Sequence, residues 1–151
     1  MNISIGADHA GYEMKQDLVE FMRKLGHTVN DVGTHDPGKP DDYPDYAVLV
    51  AHAVREGKAE RGVLVCGSGV GVSVAANKFK GIRAGLCHDH YSAHQGVEHD
   101  DMNVLVVGAR IIGQMMAQDV TAAFLGAQFS GEERHVRRLN KVKRIEDNEL
   151  S

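Results

Sequence analysis

Short runs of β-branched and apolar residues alternate along the chain with longer stretches whose apolar positions recur at intervals of three and four. An unbroken short apolar run marks a strand buried on both faces, and the three-four spacing marks one face of a helix. Strands are expected at 2–6, 27–32, 62–66, 82–87 and 103–107. Helices are expected at 11–25, 45–56, 72–78, 91–99, 112–124 and 134–148. The first helix carries Met14, Leu18, Phe21, Met22 and Leu25 on one face, with Gly26 where a terminating glycine belongs. All three prolines, Pro37, Pro40 and Pro44, fall between 33 and 45, which is therefore the longest loop. Alternating strands and helices imply right-handed crossovers and an α/β fold with a five-stranded parallel sheet covered on both faces. The last helix has five basic residues from Arg134 to Lys143 and an apolar stripe of Val136, Leu139, Val142 and Ile145. With the sheet already covered, that stripe is expected on a second subunit, the alternative being its own domain.

Composition narrows the function class. The 151 residues suit one domain, 1–151, and the 42% hydrophobic and 25% charged residues are an ordinary globular balance. A net charge of -4 disfavours a general nucleic-acid or anionic-membrane binder, so any anion site is local. No apolar run reaches the roughly 20 residues of a membrane span, and no leader pattern opens the chain. Two cysteines, Cys66 and Cys87, suggest reduced thiols and a cytoplasmic setting.

In an open parallel sheet, ligands bind beyond the carboxyl ends of the strands. Every strand end but the second carries reactive or charged groups: Asp8-His9, Cys66-Gly67-Ser68-Gly69-Val70-Gly71, His88-Asp89 and, after the fifth, Arg110. The alternating Gly67, Gly69 and Gly71 let consecutive backbone N–H groups point at one spot, a nest for a phosphate or a developing enolate oxygen. Cys66 beside it is a candidate base or nucleophile, with Ser68 as an added hydroxyl; a structural turn with a small buried thiol is the bland reading. The glycines do not match G-x-G-x-x-G, so a dinucleotide is not indicated. Asp8 is equally a helix cap. Arg134 and Arg138, four apart, share a helix face and could clamp a phosphate, although such basic stretches are usually solvated. His88, His90, His94 and His99 with Asp89 suggest a metal cluster, but H-E-x-x-H and C-x-x-C are absent, and no metal is expected.

Taken in order, Gly6-Ala7-Asp8-His9-Ala10-Gly11, Tyr43-Pro44-Asp45-Tyr46-Ala47, Cys66-Gly67-Ser68-Gly69, Ala75-Ala76-Asn77-Lys78, Gly81-Ile82-Arg83-Ala84, Cys87-His88-Asp89, Asn103-Val104-Leu105 and Gly108-Ala109-Arg110 resemble the type B ribose-5-phosphate isomerases over nearly the whole chain. The broader family includes isomerases of hexose 6-phosphates and tetrose phosphates. The resemblance implies a Rossmann-like three-layer sandwich and a homodimer, sometimes a homotetramer, with sites shared between subunits. It also implies aldose–ketose isomerisation without metal or cofactor. On that resemblance Cys66 is the base, and Ser68 with the N–H groups of Gly67, Gly69 and Gly71 forms the enediolate hole. His99 opens the sugar ring with Asp8 nearby. His9, Arg134 and Arg138 hold the phosphate, and Tyr43 and Arg110 contact substrate. The chain departs from the pattern at Ser68, where threonine is common, and at Asp100, where asparagine is common. A carboxylate only accepts hydrogen bonds, so Asp100 bears on which phosphosugar fits. Glu132-Glu133, before the arginines, is a further departure.

Overall fold

The computed structural model describes residues 1–149. Five strands, β1 (Asn2–Ala7), β2 (Thr28–Asp31), β3 (Arg61–Cys66), β4 (Ala84–Leu86) and β5 (Val104–Gly108), form one all-parallel sheet in the order β2-β1-β3-β5-β4. The α-helices are α1 (Tyr12–Lys24), α2 (Tyr43–Arg55), α3 (Val70–Ala76), α4 (His90–Asp100), α5 (Gln114–Gly126) and α6 (Glu133–Glu149). A single 3₁₀ turn, His9–Gly11, joins β1 to α1.

Strand periodicity builds the three layers. In β3, Val63 and Val65 face a core shared with Leu18 and Met22 of α1, Val97 of α4 and Val120 and Phe124 of α5. The intervening Leu64 and Cys66 face the other core, with Val50 of α2 and Val72 of α3. In β5 the same split sends Leu105 and Val107 one way and Val104 and Val106 the other. Gly62 sits so close to Val50 that an added Cβ would lie 2.6 Å from its Cγ1, which lets α2 rest directly on the sheet.

Two expectations need correcting. The fourth strand is three residues long rather than six, because Ile82 N–H turns back to the Phe79 carbonyl and Asn77 brackets Ala84 with its side-chain amide. The second strand does end on chemistry. Asp31 pairs at 2.5 Å with Lys15, a fully buried lysine whose ammonium also lies 5.5 Å from the Tyr12 ring centroid. A buried ammonium left without its partner costs several kcal/mol, about 3–5 by analogy with broken buried pairs, so this bond fixes α1 against β2. In α6, His135 and Leu139 are buried. Val136, Val142 and Ile145 are exposed, the last two lining a cavity of about 490 Å³ with Ile82, Gly85 and Met102. The start of α6 thus docks on its own chain, and its far half keeps apolar surface open. Among the described residues no helix is long and apolar enough to cross a membrane.

Candidate active site

The strand order reverses direction between β1 and β3, and the loops after these two strands meet there. Asp8, leaving β1, is nearly buried and accepts the N–H groups of Ala10 and Gly11 at 3.1 Å each through Oδ1. It is therefore a cap as well as a site candidate. An added Cβ on Gly11 would lie 2.7 Å from the Val65 carbonyl oxygen, so only glycine lets this turn settle onto β3.

Cys66 closes β3 with its thiol buried, and the Gly69 N–H points at its Sγ from 3.2 Å. The turn depends on Gly69, whose φ of +82° is left-handed, and a side chain there would also strike Leu86. Ser68 is exposed, and its Oγ accepts the Val70 N–H at 3.2 Å. Two expected substrate contacts line this turn. A Cβ on Gly67 would lie 3.3 Å from the Arg110 guanidinium, and one on Gly71 would lie 2.7 Å from the Tyr43 ring. The loop after β5 is stitched onto it, with Ala109 N–H on the Cys66 carbonyl at 2.8 Å and Arg110 N–H on that of Gly67 at 2.9 Å. His88 completes the rim by accepting the Gly108 N–H at Nε2, 2.9 Å away, which leaves the ring hydrogen on Nδ1. Cys87 is different: burial, with Asp89 adding to it, pushes its thiol up to about 11, so it stays protonated and inert.

His9 has a partner not singled out in the sequence. Asp41 accepts the His9 backbone N–H at 2.9 Å and bonds its ring Nδ1 at 2.7 Å, while the Tyr46 hydroxyl donates to its other oxygen at 2.7 Å. Asp41 lies in the proline loop, where its place 32 residues from His9 leaves no local pattern to read.

The remaining candidates sit elsewhere. From the carboxyl end of β4 the chain returns through α4, so His99 and Asp100 lie beside the amino end of β5, at the edge opposite Cys66. There the Gln95 amide bonds His99 Nδ1 at 2.8 Å, and the His99 ring stacks on His135 at 4.0 Å between centroids. His135 bonds Ser130 at 2.6 Å, and burial, followed by the charge of His99, lowers its proton affinity below the ordinary value of 6.5. Arginines flank His135 along α6. Arg134, exposed, is held by Glu132 at 3.0 Å, Arg137 by Glu133 at 2.9 Å, and Arg138 is exposed. The signal for His135 is its spacing of four from Leu139 on the buried face of α6. His90 and His94 reach only Asp119 and Glu98, at 3.2 and 3.5 Å. Among the described residues no three His, Cys, Asp or Glu side chains are grouped to hold a metal ion.

One chain thus carries two groups of candidate residues, two candidate half-sites, at opposite edges of its sheet. Cys66, Ser68, Asp8, His9, Tyr43 and Arg110 occupy the carboxyl edge, and His99, Asp100 and the arginine face of α6 the amino edge.

The model of the family described as Ribose/Galactose Isomerase matches residues 3–142. Ribose-5-phosphate isomerase B of Escherichia coli is 44% identical over 144 residues, 95% of each chain. D-erythrulose-4-phosphate isomerase of Pectobacterium atrosepticum is 40% identical over 131 residues, 87% of this chain and 86% of that one. The solved ribose-5-phosphate isomerase B of Clostridium thermocellum superposes with a TM-score of 0.95 at 43% identity, covering 98% of this chain and 99% of the other. The chain belongs to the ribose/galactose isomerase family and is a sugar isomerase.

Proposed function

We propose that the protein interconverts D-ribose 5-phosphate and D-ribulose 5-phosphate through an enediolate, with Cys66 as the base. The observation that carries this reading is the Cys66 thiol held at the mouth of the glycine turn by the Gly69 N–H. A proton next to a carbonyl is too weakly acidic for a thiolate unless the enolate oxygen is stabilised as it forms. Donors already aimed at that oxygen are worth about 3–4 kcal/mol each, and a placed base adds about 10²–10⁴-fold. In the forward direction the Cys66 thiolate takes the C2 proton of the open-chain aldose. The electrons move onto the C1 carbonyl oxygen, and the N–H groups around Ser68 to Gly71 receive the charge. Return of the proton from Cys66 to C1, with transfer of the C2 hydroxyl proton to the C1 oxygen, completes the ketose, so no external oxidant is needed.

The ring-opening histidine and the phosphate arginines belong to the other half-site in this reading, so the working unit is a homodimer. His99, Asp100, Arg134 and Arg138 of one subunit face Cys66 and His9 of the next. The separation of the two half-sites within one chain supports this, as does the exposed apolar surface of α6. The phosphate, remote from the reacting carbons, supplies binding energy that orients them.

A second substrate has specific support: the Pectobacterium atrosepticum relative bears the name of a tetrose phosphate isomerase, and Asp100 places a carboxylate where the family commonly has an amide. The test is the isomerisation rate of wild type and Cys66→Ala on ribose 5-phosphate and on a panel of tetrose and hexose phosphates, without added metal. The proposal expects the highest kcat/KM on ribose 5-phosphate and collapse of turnover in the variant. A higher kcat/KM on another sugar overturns the substrate, and an unaffected variant overturns the base.

A further inference from the structure

Asp41 is held as an acceptor by three donors: the His9 backbone N–H, the His9 ring and the Tyr46 hydroxyl all bond to it. Burial pulls its carboxyl upward, but those hydrogen bonds outweigh burial and leave it below the ordinary 3.8, so Asp41 is a carboxylate at neutral pH. A carboxylate only accepts. At 2.7 Å from its Oδ1, the His9 Nδ1 must therefore carry a hydrogen, and Nε2 is the ring atom left to meet a ligand. The backbone bond from the same residue to the same oxygen fixes the ring's direction as well as its tautomer.

We propose that Asp41 is a positioning residue for phosphate recognition: it locks His9 with Nδ1 protonated, so that Nε2 alone addresses the phosphate of the substrate. This rests on the reading of His9 as a phosphate ligand. A ring that donates to a phosphate dianion through Nε2–H while Nδ1–H is held is an imidazolium, and Asp41 behind it supplies the counter-charge, as carboxylates do behind metal-binding histidines. Tyr46 makes the arrangement rigid. Its hydroxyl anchors the second Asp41 oxygen, and its ring packs over Gly33, where an added Cβ would lie 3.1 Å from Cε1.

The test uses the full-length protein with Asp41→Ala, Asp41→Asn and, as a control on the same loop, Lys39→Ala. Three quantities are read: the His9 ring tautomer from long-range proton–nitrogen spectra, assigned by loss of the signal in His9→Gln; the Kd for inorganic phosphate; and kcat and KM. We expect a protonated Nδ1 in the wild type and its loss in Asp41→Ala. Phosphate affinity should fall and KM rise about tenfold in that variant, with kcat changed far less. Asp41→Asn keeps an acceptor oxygen but not the charge and should fall between. A merely structural loop residue would lower kcat and KM behaviour together and leave no ordered series from Asp to Asn to Ala. The proposal is overturned if Asp41→Ala binds phosphate as the wild type does, or if the wild-type Nδ1 is unprotonated. Should the wild type turn over no phosphosugar, the proposed reaction fails, while the ring spectra and the phosphate titration still decide the role of Asp41.

Discussion

The two half-sites of this chain differ in how far folding has already organised them. At the carboxyl edge, the turn after Cys66 is bounded by Leu86, Tyr43, Arg110 and the loop after β5, and the Gly69 and Val70 N–H groups are held on Cys66 Sγ and Ser68 Oγ. At the amino edge, His99 and His135 are stacked, but Arg134 and Arg138 stand exposed on α6. An exposed ion pair such as Arg134–Glu132 contributes about 0–1 kcal/mol, so in the proposed reading the glutamate is a weak competitor for the substrate phosphate. Rigid donors suit charge that develops only in the transition state, whereas movable guanidiniums suit a charge the substrate carries throughout. In the proposed reading, proton transfer at C2 therefore falls to Cys66 on the strand loops, while α6 adds arginines for the phosphate.

The sharpest test of that division sets one residue from each edge side by side. Cys66→Ala should cost about 10²–10⁴-fold in kcat with little change in KM. Arg138→Ala should raise KM about 10–100-fold while kcat falls less, the loss expected of one charge-assisted contact. Equal effects of both on kcat would break the comparison. If the halves meet across a dimer, mixing these two variants under subunit exchange, assayed at substrate well below the wild-type KM, should restore about one quarter of wild-type activity, since half of the dimers then hold one intact site. No recovery despite demonstrated exchange would put both halves in one subunit.

A smaller effect separates the rigid edge from the adaptable one. Gly71→Ala pushes a methyl group into the Tyr43 ring, and overpacking of this kind costs about 1–3 kcal/mol, which a lowered Tm and reduced turnover would record. Lys141→Ala, on the exposed face of α6, should change Tm within the error of measurement.

The amino edge should carry the pH sensitivity. His135 binds a proton more weakly folded than unfolded, so between its folded value and the ordinary 6.5 the unfolded chain holds more protons, and stability rises with pH. Read downward, Tm should fall as pH drops below about 6.5, and His135→Gln should flatten that slope. An unchanged slope would place the sensitivity elsewhere. The least costly check is alkylation at pH 8: Cys87, pushed up to about 11, should stay unlabelled in native protein, and any labelling should map to Cys66.

Much of this molecule was readable from local pattern. Strand and helix periodicity assigned all five strands and all six α-helices, because burial on two faces imposes those periods wherever the chain crosses the sheet. The Cys66 turn was visible because its glycines are consecutive in the chain, and backbone geometry there is a local property. Arg134 and Arg138 were visible as a pair for the same reason.

Other features depended on positions far apart in sequence meeting in space. Asp41 meets His9 across a proline loop whose path no periodicity describes. Lys15 gives no sign in sequence of being buried, because only Asp31, 16 residues on, makes that burial tolerable. The apolar stripe of α6 read as Val136, Leu139, Val142 and Ile145, yet contact with α4 turned the buried face to His135 and Leu139. The elements, the turn and the residue types available for chemistry follow from neighbours along the chain, so local pattern reveals them. The edge of the sheet each residue occupies and the partner that holds it follow from strand order and crossover direction, which are properties of the folded chain.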